Sequence, residues 1–112
     1  MLTLETLKEY GADVNTGLSR CANNEALYLR LVRIAAMDLS TDALGKALRE
    51  GDFETAFEVA HKLKGGLSNL ALTPVAEPVG KLTDLLRAQT PVDYSELYAR
   101  ISEQAKALTA LL

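Results

Sequence analysis

Apolar residues recur along the chain at steps of three and four, the spacing that places side chains on one face of a helix. The most regular run lies between residues 53 and 70, where these steps alternate without a gap. Its apolar positions are Phe53, Ala56, Ala60, Leu63, Leu67 and Leu70. No segment alternates apolar and polar residues as a half-buried strand does. The pattern therefore predicts a protein built of helices.

Turn and capping residues divide the first half of the chain into two predicted helices. The first covers residues 2–10 and ends at Gly11, since glycine commonly follows a helix. Residues 12–23 are mixed and are expected to hold a single turn. Asn24 can cap the second helix, which is expected to kink at residues 40–42. Its predicted inward positions are Leu27, Leu31, Ile34, Ala35, Leu39, Leu44 and Leu48.

Three further helices are predicted in the second half. Asp52 caps the third, which carries the regular apolar run. Thr73 caps the fourth, with Pro74 at its first position and Pro78 bending its first turn. The inward positions of the fourth helix are Val75, Val79, Leu82, Leu85 and Leu86. The last helix covers residues 94–112, with inward positions at Leu97, Ile101, Ala105, Leu108 and Leu112.

Four long amphipathic helices joined by short turns are typical of an antiparallel four-helix bundle, with the short additional N-terminal helix as a lid. At 112 residues the chain has the length of one domain, so residues 1–112 are expected to share a single core. Apolar residues make up 48% of the chain. Most of them are leucine and alanine, both strong helix formers, so the composition also favours the all-α class.

Charge and composition exclude several classes of function. The net charge is −3 and no cluster of lysine and arginine stands out, whereas a nucleic-acid-binding protein normally has a basic stripe. No basic segment precedes an apolar run at the N-terminus, and charges interrupt the apolar stretches, so we expect neither a signal peptide nor a membrane contact. The single cysteine, Cys21, cannot form an internal disulfide. We therefore expect a cytoplasmic protein.

The only histidine, His61, lies on the polar side of the third predicted helix. At about 100° per residue it points roughly 130° away from the middle of the apolar stripe, so it should face solvent. A lone exposed histidine is often a surface residue without a task. The residues that follow His61 favour a functional interpretation instead.

Gly65 and Gly66 follow His61 closely, although the apolar steps continue to Leu67 and Leu70. Each glycine inside a helix costs about 1 kcal/mol relative to alanine, so the pair costs roughly 2 kcal/mol. Two glycines can also simply end a helix, but the continued apolar steps favour a helix that runs on. Gly65 lies one turn after His61, and its missing side chain would leave the imidazole open to a reacting group.

An exposed neutral imidazole can attack phosphorus, and the phosphoramidate that forms retains a high transfer potential. Lys64, three residues after His61, can place its ammonium near an anion on the ring. The chain has no glycine-rich phosphate loop followed by Lys-Ser/Thr, and one histidine with scattered carboxylates does not form a metal site. His61 can therefore carry a phosphoryl group, but we expect no ATP-dependent kinase activity.

Residues 60–71, AHKLKGGLSNLA, resemble the signature of the histidine-containing phosphotransfer (HPt) domain family, in which His-x-Leu-Lys-Gly is followed by small residues. Residues 25–28 and 49–52 are also similar to family segments, so the resemblance spans most of the chain. Ala71 stands where glycine is common in the family, and Thr83 stands where an acidic residue is often found. The family's four-helix bundle agrees with the fold that the apolar pattern predicts.

The resemblance implies a phosphorelay intermediate of two-component signalling. His61 would be phosphorylated by a receiver or kinase domain and would pass the group to a receiver aspartate, with Lys64 stabilising the charge and Gly65 providing access. The residues expected to contact the partner are Phe57, Glu58, Lys62 and Ser68. That partner would be a response-regulator receiver domain or a sensor histidine kinase, and Mg²⁺ is expected only on the receiver. The protein itself is expected to be a monomer without a cofactor.

Two other interpretations stay open. In the dimerisation domain of a sensor kinase, the histidine is usually followed by an acidic residue and soon by arginine and proline. Here Lys62 follows His61 directly, and the next proline is Pro74. The chain could instead be a non-catalytic helical interaction module in which His61 is incidental, although the intact His-Lys-Leu-Lys-Gly stretch argues against this.

Overall fold

The computed structural model describes all 112 residues, of which 74% are helical and none lies in a strand. The helices are α1 (Leu4–Tyr10), α2 (Val14–Arg20), α3 (Glu25–Asp38), α4 (Asp42–Arg49), α5 (Phe53–Asn69), α6 (Thr73–Arg87) and α7 (Ser95–Thr109). The predicted all-α class is confirmed, although the chain forms seven helices where five were predicted. No helix combines the length and the apolarity that a membrane crossing requires.

Side-chain caps begin α3 and α5 at the predicted places. The Asn24 side chain accepts a hydrogen bond from the Leu27 amide (3.0 Å), and the Asp52 side chain accepts one from the Thr55 amide (3.2 Å). These bonds satisfy amide groups that have no partner within the first turn of a helix. Both predicted caps are therefore confirmed.

Several helix boundaries differ from the prediction: α1 begins at Leu4 and α7 ends at Thr109, where residues 2 and 112 were predicted, and there are three further differences. Residues 12–23 contain the two-turn helix α2, which Asp13 caps, where a single turn was predicted. The predicted kink in the second helix is a complete break between α3 and α4, because Leu39 adopts an extended backbone (φ −73°, ψ 107°). Helix α6 begins at Thr73 itself, so Leu72 is the N-cap, and no side chain caps this helix.

The predicted inward face of α3 is wrong by about one residue. The buried side chains are Tyr28, Val32 and Ala36. Of the predicted positions, Leu27, Leu31, Ala35 and Leu39 are half-buried and Ile34 is 47% exposed. Helix α3 is apolar on more than one side, so its sequence contains two overlapping stripes. Tyr28 decides between them, because its ring packs against Gly17 and its hydroxyl donates to the Leu70 carbonyl (2.9 Å).

Helix α5 packs against α4 and α6, α6 packs against α7, and α7 also contacts α3. Most of the predicted stripe on α5 is buried, namely Ala56, Ala60, Leu67 and Leu70. Leu63 is half-buried, and the prediction that Phe53 faces inward is wrong, since Phe53 is 48% exposed. Phe53 begins α5 and packs edge-to-face on Tyr94 at the start of α7, with ring centroids 5.6 Å apart. Helix α5 thus buries one face and leaves the other to solvent.

The carbonyl groups of residues 68–71, at the end of α5 and in the turn that follows it, all accept hydrogen bonds from the N-terminal part of the chain. The Arg20 guanidinium donates to the first two (2.7 and 3.1 Å), the Tyr28 hydroxyl to the third (2.9 Å) and the Asp13 amide to the fourth (3.0 Å). Burial raises the pKa of Tyr28 to about 12, so its hydroxyl stays protonated and continues to donate. The carboxyl-terminal end of α5 is therefore firmly anchored.

Ala71 follows α5 with a φ of 57°. This left-handed backbone conformation is unfavourable for residues with a Cβ atom and favours glycine. The alanine that departs from the HPt pattern therefore affects the backbone locally, at a position ten residues beyond the histidine.

Candidate functional site

His61 lies in the middle of α5, and its side chain is exposed, as the position of the residue relative to the apolar stripe predicts. The neighbouring Ala60 is completely buried, and Leu67 is buried further along the same helix. The backbone that carries the imidazole is therefore packed on the core, while the imidazole itself is presented to solvent.

The two glycines that follow His61 both lie within α5, which continues to Asn69, so the predicted continuation of the helix is confirmed. A Cβ atom built on Gly65 or Gly66 would have no other side chain or element within 4 Å. Packing inside this chain therefore requires neither glycine. Because Gly65 lies one turn after His61 on the same side of the helix, the space beside the imidazole is open.

An aromatic ring stacks on the imidazole. Phe57, one turn before His61, has its ring centroid 5.7 Å from that of the imidazole, and the two planes are inclined by 12°. The Arg87 guanidinium of α6 lies over the Phe57 ring, 5.5 Å from its centroid. At this distance the cation is attracted to the face of the ring. Phe57 therefore contacts the histidine and also links it to α6.

Lys64 contacts α6. Its ammonium lies 4.0 Å from a carboxylate oxygen of Asp84. The same oxygen accepts a hydrogen bond from Arg87 (3.1 Å). The side chain of Lys64 passes close to Gly80, where a Cβ atom would lie 3.8 Å from the lysine Cε. Two cations, one from α5 and one from α6, are thus joined through a single carboxylate.

The other residues predicted to contact a partner lie along α5. Glu58, Lys62 and Ser68 are exposed, and Phe57 is half-buried. Thr83, where the resemblance gave reason to look for an acidic residue, is completely buried. Its hydroxyl donates to the Val79 carbonyl (2.8 Å). Thr83 therefore lies on the buried face of α6 and not on the surface around the histidine.

Three residues of α6 that lie beside Lys64 and Phe57 were not predicted, namely Gly80, Asp84 and Arg87. Their spacing of four and three residues places them on one face of α6, which the sequence alone could have shown. Which side chains of α5 they meet depends on how the two helices pack, and the periodicity of a single helix does not contain that information.

Comparison with known families shows that residues 28–111 match the Hpt domain. Comparison with curated proteins and with solved structures gives no match. The matched residues make up most of the chain and include the whole of α5 with His61. Helices α1 and α2 precede the matched residues, and Arg20 of α2 is one of the donors to the end of α5. The protein belongs to the Hpt domain family, whose members act in phosphotransfer within phosphorelays.

Proposed function

We propose that the protein is a phosphorelay intermediate of two-component signalling that carries a phosphoryl group on His61. The observation that carries the proposal is an exposed imidazole in the middle of a helix, with open space beside it at Gly65, in a member of the Hpt domain family. His61 would accept the group from a receiver or kinase domain and pass it to a receiver aspartate.

Each transfer exchanges one bond to phosphorus for another. A nitrogen of the imidazole donates its lone pair to the phosphorus of an aspartyl phosphate, the P–O bond breaks, and the receiver aspartate leaves as a free carboxylate. The reverse reaction returns the phosphoryl group to an aspartate and restores the neutral imidazole, while the proton on the second nitrogen exchanges with solvent. We propose that Mg²⁺ belongs to the receiver alone and that this chain contributes no cofactor and no ATP-dependent kinase activity.

The residues around His61 would contribute orientation, charge and access. The stacked ring of Phe57 would favour one orientation of the imidazole. The ammonium of Lys64 can offset the charge that the phosphoryl group adds. The open space at Gly65 lets the receiver aspartate align with the phosphorus. The exposed residues proposed to contact the receiver around this centre are Glu58, Lys62 and Ser68.

We further propose that the long helices form an antiparallel four-helix bundle that acts as a monomer. Support comes from the short connection between α5 and α6, at residues 70–72, and from the contacts of α7 with both α6 and α3. A cluster of 24 buried residues forms one apolar core, so the chain has a core of its own without a second subunit. Light scattering after size-exclusion chromatography should give the mass of one chain. A stable dimer would contradict the proposal and favour the dimerisation domain of a sensor kinase.

Replacing His61 with glutamine tests the proposed function. The variant should accept no phosphoryl group, yet it should melt at nearly the same temperature, because substitutions at exposed positions usually change stability by no more than about 0.5 kcal/mol. Wild-type protein and variant are incubated with phosphoramidate or with a phosphorylated receiver, and their intact masses are measured. The wild-type protein should gain one phosphoryl group and the variant none.

Two results would contradict the proposal. A wild-type protein that gains no phosphoryl group under either condition would favour the helical interaction module without phosphotransfer. A His61→Gln variant that is still phosphorylated would place the site at another residue.

A further inference from the structure

Asp84 takes part in both ion pairs of the structure, one with Lys64 at 4.0 Å and one with Arg87 at 3.1 Å. The three side chains are 37%, 65% and 53% exposed for Lys64, Asp84 and Arg87. Water and salt screen ion pairs at this level of exposure, and such pairs are individually weak. A stronger anion close by can therefore take either cation away from Asp84.

The two cations are not held equally. Arg87 donates a hydrogen bond to Asp84 and also lies over the Phe57 ring, so it has two partners. Lys64 forms no hydrogen bond with Asp84, and its distance of 4.0 Å is long for an ion pair. If Lys64 leaves, the Asp84 carboxylate keeps Arg87 and is not left unpaired. Lys64 is thus the cation that can be exchanged at small cost.

We propose that Asp84 is a positioning residue that holds Lys64 on α6 while His61 is unmodified and releases Lys64 to the phosphoryl group once His61 is phosphorylated. The inference rests on the proposed function. A phosphoryl group brings about two negative charges, against one on Asp84. It would be attached three residues before Lys64 on the same helix, and side chains at this spacing can meet.

Gly80 gives Lys64 the room for this exchange. It lies one turn before Asp84 on α6, and a Cβ atom there would already contact the lysine stem at 3.8 Å. A long side chain at this position would press on the stem and restrict where the ammonium can go. The glycine leaves Lys64 able to swing between the carboxylate of α6 and the histidine of α5.

Asp84 therefore competes with the phosphoryl group for Lys64. When the P–N bond breaks through a loose transition state, its electron pair goes to the imidazole nitrogen, and the phosphoryl oxygens lose negative charge. A cation bound to these oxygens therefore stabilises the intact phosphohistidine more than it stabilises the transition state. In hydrolysis, water takes the phosphoryl group, the imidazole nitrogen takes a proton, and inorganic phosphate is released. Removing the competing carboxylate should leave Lys64 with the phosphoryl group for longer and slow this loss.

The test measures the half-life of phosphorylated His61. The full chain is loaded with phosphoramidate, the donor is removed, and the remaining phosphoprotein is followed by its intact mass. Asp84→Asn should lengthen the half-life by about two- to fivefold, the range expected from one exposed ion pair. Asp84→Glu keeps the charge and should return the half-life close to the wild-type value.

Two further variants separate this role from a general effect of charge or structure. Glu77→Gln neutralises an exposed carboxylate of the same helix that takes part in no ion pair, so it should leave the half-life unchanged. In a Lys64→Met background, Asp84→Asn should lose its effect, because the effect acts through Lys64. The phosphorus NMR resonance of the phosphohistidine should shift on Asp84→Asn only when Lys64 is present.

An unchanged half-life in Asp84→Asn would overturn the inference, and so would equal lengthening by Glu77→Gln or an effect that persists without Lys64. In each of these cases His61 still carries the phosphoryl group, so the proposed function stands. If the wild-type protein gains no phosphoryl group from phosphoramidate or from a phosphorylated receiver, the proposed function fails and this inference fails with it.

Discussion

Of the five glycines that lie inside helices of this protein, two pairs have opposite surroundings. Gly17 in α2 and Gly45 in α4 each lie against a tyrosine ring, and a Cβ atom on either would overlap that ring. Gly65 and Gly66 in α5 have open space where a Cβ atom would be. The first pair is therefore required by the packing of the chain on itself, and the second pair is not.

The difference bears on why glycine, and not alanine, occupies positions 65 and 66 of α5. Alanine would fit at Gly65 and at Gly66, and it would favour the helix by about 1 kcal/mol at each position. Nothing within the folded chain requires a missing side chain there. On the proposed function, the requirement at Gly65 comes from the partner that approaches His61. A receiver domain that must bring an aspartate to the imidazole would impose such a requirement.

The largest expected effect is at the packed pair. Gly17→Ala should lower the free energy of unfolding by about 1–3 kcal/mol, as extra volume in a packed core does. The methyl group would overlap the ring of Tyr28, which is completely buried and is tied to the Leu70 carbonyl by its hydroxyl (2.9 Å). Urea unfolding measures the change. A variant as stable as the wild-type protein would mean that Tyr28 can move aside, and the contrast between the two pairs would be lost.

The opposite sign is expected at the open pair. Gly65→Ala should raise the free energy of unfolding by up to about 1 kcal/mol, because alanine is the better helix former, yet it should slow phosphoryl transfer by crowding the space beside His61. Glutamine at position 65 should slow transfer more than alanine does. Glutamate should slow it most, because its charge repels the anionic phosphoryl group in addition to the effect of its size. Thermal unfolding and the rate of phosphoryl exchange with a competent receiver are measured together.

Gly66→Ala is the matched control for this substitution. It should stabilise the helix by a similar amount, but position 66 is turned about 100° further round the helix, so transfer should slow less. Equal transfer rates for glycine, alanine and glutamine at position 65 would remove the case for a glycine that provides access.

The smallest effect concerns the side-chain cap at the beginning of α5, the helix that carries Gly65 and Gly66. Hydrogen bonds from the Thr55 side chain and amide lower the pKa of Asp52 from its ordinary value. A carboxylate whose pKa is lower in the folded state contributes stability above the unfolded pKa, about 4, and this contribution is lost as the pH falls through the folded pKa.

Asp52→Asn should therefore change the acid end of the stability profile and little else. Asparagine caps a helix about as well as aspartate but does not titrate. Melting temperatures measured from neutral pH downward should agree between variant and wild-type protein above about pH 4 and should fall less steeply for the variant below it. If the melting temperatures of variant and wild-type protein change in parallel at all pH values, the ionisation of Asp52 does not contribute to the pH dependence of stability.

The features that could be predicted from the sequence are those that depend on neighbours along the chain. Apolar residues at steps of three and four, and caps such as Asn24 and Asp52, act within one or two turns of a helix. The same is true of the continuation of α5 through Gly65 and of the exposure of His61 opposite the apolar stripe. These predictions were confirmed because they need only the geometry of a single helix.

Which helix faces meet depends on how the helices pack on one another, and this could not be predicted from the sequence. Helix α3 is apolar on more than one side, so its own periodicity allowed two orientations, and the fit of Tyr28 against Gly17 selected one. The partner of Lys64 was equally open, since a long side chain can turn in several directions. The packing of α6 on α5 brought Asp84 to it and Arg87 to Phe57. Such contacts depend on the crossing and the relative shift of two helices, and neither quantity is encoded in the spacing of residues along one of them.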